Sequence, residues 1–318
     1  MPTITRAQGY PSFKQHGFIK DVYSPLIDKN FYARCYLART TSSKYIGQIK
    51  RKGDKVVITR EPKITTEDYV AGKPYDITTN LEEPFEMHVN RGKRWKQYYD
   101  ENDANRTHVV GLNSATINAA TEAVARDIEV EYFNEFPSYV PSYNTGNAAG
   151  IKSGAYQLGS LDHPVLLDDE NVLDYVMQFL HVLNETNVTN ESGVISILVP
   201  DIVAYYIRVA EGIRDASKIG GKSSLKTRYL QPLDGLGDVY VSNLLPKMDN
   251  GAYPIICNVK EAMNFVMAAR KTRVITDLDL YDGTLLRGYA IYDWGVAREE
   301  GLAIGYIKPN KQALSTVA

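Results

Sequence analysis

Hydrophobic and polar residues alternate with a period of two in one stretch of the N-terminal third of the chain. Over residues 75–89 the odd positions are mostly apolar and the even positions are polar or charged, with Glu83 as the exception. This period is typical of a β-strand with one solvent-facing and one buried face. Residues 56–64 supply a partner strand, and residues 71–74 have the composition of a turn. The pattern predicts a long β-hairpin over residues 45–89.

The two strands of this hairpin carry opposite charge. Cross-strand pairs of opposite charge stabilise a hairpin by ~0.2–1 kcal/mol each, and charged residues also protect an exposed strand edge from indiscriminate pairing. The charged positions are Lys50, Arg51, Lys52, Lys55, Arg60 and Lys63 on the first strand and Glu67, Asp68, Asp76, Glu82, Glu83 and Glu86 on the second.

A long amphipathic helix follows the hairpin, in the segment NSATINAATEAVARDIEVEYFNEFP. Asn113 or Ser114 is suited to cap its start, and Pro137 ends it. Its apolar positions are three or four residues apart, which places them on one face. They are Ile117, Ala120, Val124, Ile128, Tyr132 and Phe136.

Shorter elements occupy the rest of the chain. A second helix is predicted in DDENVLDYVMQFLHVLNETNV, with Asp168 or Asp169 as its N-cap, and a third starts at Pro200-Asp201. The apolar runs GVISILVP, GDVYVSN, YPIICNV, LLRGYAIYDWGVA and GLAIGYIKP predict strands. A hairpin, a long helix, a mixed segment and closing strands together indicate an α+β fold.

Composition and charge argue against some classes of protein but do not identify the function. The 318 residues carry a net charge of −2, which argues against a dedicated nucleic-acid-binding protein. No apolar run approaches the ~20 residues of a membrane span, and the first twenty residues lack an apolar signal core. We therefore expect a protein that is neither secreted nor membrane-anchored. The 23 tyrosines are typical of interfaces that form from water, and equally of a tyrosine-rich β protein.

The sequence predicts no catalytic, cofactor-binding or metal-binding residue. Cys35 and Cys257 fit no zinc or disulfide framework and are expected to be reduced structural residues. The segment IGGKSS has Ala216 where a phosphate-binding loop needs glycine. The histidines are scattered without ligand spacing, at His16, His88, His108, His163 and His181.

The order of elements along nearly the whole chain resembles that of the major capsid proteins of tailed bacteriophages, which have the Hong Kong 97-type fold. The resemblance lies in the charged hairpin GDKVVITREPKITTEDYVAGKPYDITTNLEEPFEMHVN and the long helix INAATEAVARDIEVEYFNEF. It continues in the segments LDGLGDVYVSNLLP and TLLRGYAIYDWGVAREEGLAIGYIKP.

This resemblance implies a domain plan. Residues 1–43 would form an N-terminal arm, and residues 44–90 would form the extended hairpin called the E-loop. Residues 91–159 and 269–318 would form a peripheral domain built on the long helix, called the spine helix, and residues 160–268 an axial domain.

In the family the E-loop lies across a neighbouring subunit, so the resemblance implies a set of interface residues. The apolar face of the hairpin would be buried on assembly. The residues expected at the interface are Lys50, Arg51, Lys52, Lys55, Arg60, Lys63, Glu67, Asp68, Tyr75, Ile77, Leu81, Phe85, Met87, Arg94 and Trp95.

The resemblance also implies a function and partners. The chain would form pentamers and hexamers of an icosahedral shell around double-stranded DNA, with DNA contacts that are not sequence-specific. It would assemble in the host cytoplasm with a separate scaffolding protein, a portal protein and a decoration protein, and would end in the virion. An encapsulin-type shell around protein cargo shares the fold, and a cytosolic α/β enzyme with its site in residues 212–237 is a third alternative.

Overall fold

The described part of the structure, a computed structural model, contains a six-stranded and a three-stranded β-sheet, called here the larger and the smaller sheet, and a separate two-stranded sheet. The structure describes residues 35–44, 55–58, 66, 68–69, 71, 85–100, 112–188, 194–210, 230–233, 237–276 and 283–310. The helices are α1 (Leu37–Thr40), α2 (Leu112–Glu135), α3 (Val172–Glu185) and α4 (Asp201–Val209). The strands are β1 (Lys55–Ile58), β2 (Phe85–His88), β3 (Arg91–Asp100), β4 (Val165–Leu167), β5 (Ile195–Val199), β6 (Leu230–Leu233), β7 (Gly237–Val241), β8 (Tyr253–Val259), β9 (Met263–Ile275), β10 (Gly283–Val296) and β11 (Leu302–Pro309).

The larger sheet has six strands in the order β4-β11-β8-β5-β7-β6. Its central strands β5, β8 and β11 are almost continuously buried, as the apolar runs in their sequences predict. Helix α3 packs on this sheet through Val176, Phe179 and Leu183, which are fully buried. The core of the protein therefore lies between this sheet and its helices.

The smaller sheet has three antiparallel strands in the order β3-β10-β9. Helix α2, the predicted spine helix, contacts β3 and β10. Its C-terminal half is anchored by Ile128, Tyr132 and Phe133, which are buried, whereas its N-terminal half is only partly covered. The α-helix ends at Glu135 and continues as a 3-10 turn with Pro137, so proline stops it as predicted.

The helix starts differ in detail from the sequence prediction. Helix α2 begins at Leu112, so Asn113 and Ser114 lie inside its first turn and do not cap it. At α3 the N-cap is Asn171, not Asp168 or Asp169. The backbone N–H of Asn171 donates to Asp168 Oδ1, and that of Asp168 donates to Asn171 Oδ1, both over 3.0 Å. This closed turn fixes where the helix begins.

The chain passes from the smaller to the larger sheet near its C-terminal strand. Strand β10 ends at Val296, a 3-10 turn covers Glu299–Gly301, and β11 then pairs with β8 and β4. The domain plan placed all of residues 269–318 with the spine helix, and the last strand of this range, β11, lies in the larger sheet between β4 and β8. The domain boundaries stay predictions.

Candidate subunit interface

The base of the predicted hairpin is present as a two-stranded sheet. Strands β1 and β2 pair antiparallel, with Lys55 opposite His88 and Ile58 opposite Phe85. The Lys55 Nζ atom lies 3.0 Å from Glu86 Oε1, and this exposed ion pair holds the pKa of the Glu86 carboxyl below its usual range. One ion pair therefore joins the two strands at this base, and the charge pairing of the rest of the hairpin stays a prediction.

The structure describes some of the predicted interface residues and leaves the others outside the described part of the chain. Lys55, Asp68 and Arg94 are exposed, Trp95 is half-buried, and Phe85 lies in β2. Met87 is only 2% exposed, so the chain itself already covers this side chain and a second subunit is not needed to bury it. The others lie outside the described residues: Lys50, Arg51, Lys52, Arg60, Lys63, Glu67, Tyr75, Ile77 and Leu81.

Arg91, at the start of β3, joins the smaller sheet to the spine helix. Its guanidinium donates to both carboxylate oxygens of Glu135, over 2.5 and 2.7 Å, and to Glu131 over 3.0 Å. It also donates from Nε to Asp293 Oδ1 over 3.1 Å and lies 4.1 Å from the centroid of the Trp294 ring. One side chain thus ties helix α2 to strands β3 and β10.

Two of the carboxylates that Arg91 contacts, those of Glu131 and Glu135, are held in their charged form. Burial raises the pKa of Glu131, but hydrogen bonds from Tyr292, Lys93 and Arg91 outweigh it and lower the pKa below the ordinary value. The hydrogen bonds from Arg91 lower the pKa of Glu135 in the same way. Because the charges are compensated, the cluster is a structural joint.

The smaller sheet exposes a basic face on the side of β3, β9 and β10 that the spine helix does not cover. Cross-strand neighbours share a face, and Arg287 of β10 lies between Lys96 and Arg273, while Tyr289 lies between Arg94 and Lys271. We call this surface the basic face and define it by its cations Arg94, Lys96, Lys271, Arg273 and Arg287.

The five cations of the basic face are accessible. All are exposed, and none forms an ion pair with another residue in the described part of the chain. A shallow depression of about 670 Å³ runs among them. Like charges gathered on an open sheet face repel one another, so an anionic partner would stabilise this surface. Of these five cations, only Arg94 is among the predicted interface residues.

Trp95 lies on the opposite face of the sheet from the five cations. Its position alternates with Arg94 and Lys96 along β3, and it is paired with Gly288. A Cβ atom on Gly288 would come within 2.5 Å of the indole Nε1, so glycine is required for this contact. Trp95 and helix residues Val124 and Ile128 line a small cavity of about 60 Å³. Its ring therefore belongs to the joint between sheet and helix.

Other chemistry is not apparent in the described residues. These residues contain no group of three or more histidine, cysteine, aspartate or glutamate side chains placed to hold a metal ion. Burial raises the pKa of the Cys35 thiol to about 12 and that of Cys257 still further, so both thiols are unreactive. Within the same residues no helix combines the length and apolar character that crossing a bilayer requires.

Comparisons with known proteins identify the fold. No protein-family model matches the chain, and no curated protein sequence matches it. Solved structures do match. A protein of Mycobacterium phage Che8 has a TM-score of 0.69 and 19% identity over 93% of this chain and 98% of that chain. The cyanophage P-SCSP1u capsid has a TM-score of 0.65 and 12% identity, with 92% and 93% covered.

A third solved structure matches the chain to a similar extent. The mature capsid of bacteriophage PhiM1 has a TM-score of 0.63 and 13% identity over 92% of each chain. The fold is therefore shared over more than nine tenths of this chain, although no more than 19% of the residues are identical. The chain has the fold of the major capsid proteins of tailed bacteriophages, the fold that the order of its sequence elements predicted.

Proposed function

We propose that this chain is a major capsid protein that self-assembles into the pentamers and hexamers of an icosahedral shell enclosing a double-stranded DNA genome. The observation that carries the proposal is the extent of the fold match, which spans 92–93% of this chain and at least 92% of each of the three capsid chains. A match that spans most of both chains supports a subunit of the same kind, because it leaves little of either chain outside the shared fold.

The proposal assigns the basic face to contact with a neighbouring subunit. The second strand of the hairpin carries an excess of acidic residues, including Asp68, Asp76 and Glu82. An acidic strand laid across the cations of the basic face would neutralise charges that have no ion-pair partner among the described residues. The occupant is thus the hairpin of a second copy of the chain, and Arg94 is the predicted interface residue that this contact includes.

The remaining parts of the proposal concern the setting of assembly. The shell forms in the host cytoplasm with a separate scaffolding protein, a portal protein and a decoration protein, and it becomes part of the virion. Contacts with packaged DNA are few, salt-dependent and independent of sequence, because a container must release the genome that it holds. The net charge of −2 is consistent with this role.

Electron microscopy of the purified protein tests the proposal. We expect closed shells, or rings of five and six subunits that close into shells when the scaffolding protein is added. Size-exclusion chromatography of an enzyme would instead give a small oligomer of fixed size at every concentration, and that result would contradict the proposal. Shells that enclose a specific protein and exclude nucleic acid would favour the encapsulin-type alternative.

A further inference from the structure

A buried carboxylate on the spine helix holds the backbone at Tyr36, next to the start of helix α1. The Glu129 side chain is 0% exposed. Both of its oxygens accept a hydrogen bond from the single backbone N–H of Tyr36, over 3.0 and 2.9 Å, and the Cys35 thiol is its second donor. No lysine or arginine of the described residues lies within ion-pairing distance of it.

The residues that follow Tyr36 are fixed to other parts of the protein. The Thr40 carbonyl accepts a hydrogen bond from Asn258 Nδ2 of β8 over 2.6 Å. The backbone of Ser42 exchanges hydrogen bonds with β9, donating to Met263 over 2.8 Å and accepting from Phe265 over 2.9 Å. The Tyr36 ring lies 5.0 Å from that of Tyr240, between centroids. Only the start of this segment, at Cys35 and Tyr36, depends on Glu129.

Among the titratable residues buried at this contact, Glu129 is the one that changes charge near neutral pH. Burial is the main cause that raises its pKa to about 7, because one backbone N–H and a weak thiol donor do not replace water around a carboxylate. Burial likewise keeps the Cys35 thiol and the Tyr132 hydroxyl neutral, since the pKa of each is raised. Glu122 and Arg126, whose charges also act on the thiol, are exposed to solvent.

We propose that Glu129 is a proton-operated latch for the chain at Cys35 and Tyr36. In its neutral form the carboxyl holds the Tyr36 backbone against the spine helix. When it ionises, the buried charge favours opening of the contact, so that water reaches the carboxylate and the Tyr36 backbone N–H separates from the spine helix. The latch concerns the single subunit, and it goes beyond the proposed shell function without depending on it.

The direction of the effect follows from linkage. A carboxyl whose pKa is raised by closing the latch binds a proton more tightly in the closed form than in the open form. The closed form is therefore fully favoured below the ordinary pKa of 4.5, and this advantage is lost as the pH rises through about 7. Alkaline conditions open the latch and mildly acidic conditions close it.

Hydrogen–deuterium exchange of the unassembled subunit tests the proposal directly, because the Tyr36 amide is the donor to Glu129. After correction for the intrinsic dependence of exchange on pH, we expect its protection to fall about 25-fold between pH 5.5 and 8.0. This is the change for a carboxyl whose pKa moves from 4.5 to about 7 on closing. The amides of β8 should show no comparable change.

Two variants separate the latch from a general effect of charge. Glu129→Gln keeps an oxygen acceptor without a titrating proton, so its Tyr36 amide should stay protected equally at both pH values. Asp127→Asn removes an exposed carboxylate from the same helix and should retain the wild-type change. A pH-independent wild-type amide would overturn the proposal, even where Glu129→Gln fails to fold. Wild-type behaviour in Glu129→Gln, or loss of the change in Asp127→Asn, would also overturn it.

Discussion

At the residue scale, one arginine decides how the spine helix sits on its sheet. The Arg91 side chain is only partly exposed and serves Glu131, Glu135 and Asp293 at once. Its planar guanidinium can donate to three carboxylates in fixed directions, which a lysine ammonium does with less geometric precision. Arg91 also lies over the Trp294 ring, where the quadrupole of the ring attracts its positive charge.

Replacement of Arg91 by alanine is expected to destabilise the subunit by ~2–3 kcal/mol, because three carboxylates that face one another lose their shared cation. The free energy of unfolding of the unassembled subunit, measured in urea, checks this. Arg94→Ala is the matched control, since Arg94 lies on the same strand but is exposed, and it should change the value by less than ~0.5 kcal/mol. Equal losses of unfolding free energy in the two variants would show that Arg91 does not join the spine helix to the smaller sheet.

The same residue explains why strand β3 was not predicted from sequence. Its segment, RGKRWKQYYD, has no apolar alternation, and it is not among the predicted strands. The inward positions are occupied by Arg91 and Lys93, which are accepted there because Glu131 on the helix neutralises them. A hydrophobic pattern cannot reveal a strand whose inner face is an ion-pair network.

At the element scale, the larger sheet requires close approach of β11 to helix α3. A Cβ atom on Gly305 would lie 2.5 Å from the Leu158 carbonyl oxygen and would collide with the Tyr175 hydroxyl. That carbonyl already accepts hydrogen bonds from Tyr175 and from the Tyr306 backbone. The absence of a side chain at Gly305 therefore lets the strand, the helix and the preceding loop meet.

Gly305→Ala is expected to cost ~2–3 kcal/mol of unfolding free energy, because backbone atoms and a hydrogen-bonded tyrosine cannot move aside cheaply. Gly92→Ala provides the control: its Cβ would meet only the Ala290 carbonyl oxygen, at 3.4 Å. Denaturant unfolding of both variants gives the comparison. A Gly305→Ala subunit as stable as wild type would mean that β11 and α3 are not packed this closely.

The hairpin can be shortened without disturbing its base. Ile58 and Phe85 are directly paired, so residues 59–84 can be replaced by an Asn-Gly turn that joins the two strands. We expect a subunit with unchanged thermal stability that forms no closed shells, judged by melting temperature and electron microscopy. A glycine–serine linker of equal length is the control for length alone and should also fail to assemble. Shells of normal size from either variant would contradict the assembly role.

Sequence patterns predicted these elements unevenly, for a physical reason. Strands β5, β8 and β11 are almost continuously buried, so most positions are apolar and the segments ISILV, YPIICNV and LAIGYIKP indicate strands directly. The three-residue strand β4 is too short to leave a pattern. The partners of β11 were also not predictable, because the sequence distance to β10 is small while its neighbours β4 and β8 come from far earlier in the chain.

At the scale of the whole molecule, the basic face is the charged surface that we propose for contact between subunits. Double replacement Lys96→Glu and Arg287→Glu reverses the centre of this face, and we expect folded subunits that do not form shells at 0.1 M salt. Single exposed ion pairs contribute only ~0–1 kcal/mol, but a closed shell repeats the contact at every subunit. Light scattering follows assembly, and circular dichroism confirms folding.

Lys260→Glu combined with Lys308→Glu is the matched control for this charge reversal. Both lysines are exposed, but they lie away from the basic face, and the net charge changes by the same amount. This control should assemble normally. Normal assembly of the basic-face variant, or failure of both, would remove the basic face from the interface. Higher salt should weaken wild-type contacts at this face, because exposed charges are screened beyond ~10 Å at 0.1 M.

The position of β11 has a consequence for synthesis of the protein on the ribosome. Within the described residues, strand β4 pairs only with β11 in the larger sheet, and β11 separates it from β8. That sheet is therefore incomplete until residues 302–309 have been translated. Pairings between such distant segments form late in folding. We expect a chain whose translation stops before residue 302 to expose the apolar edges of β4 and β8, and such a chain would be a target for chaperones and proteases.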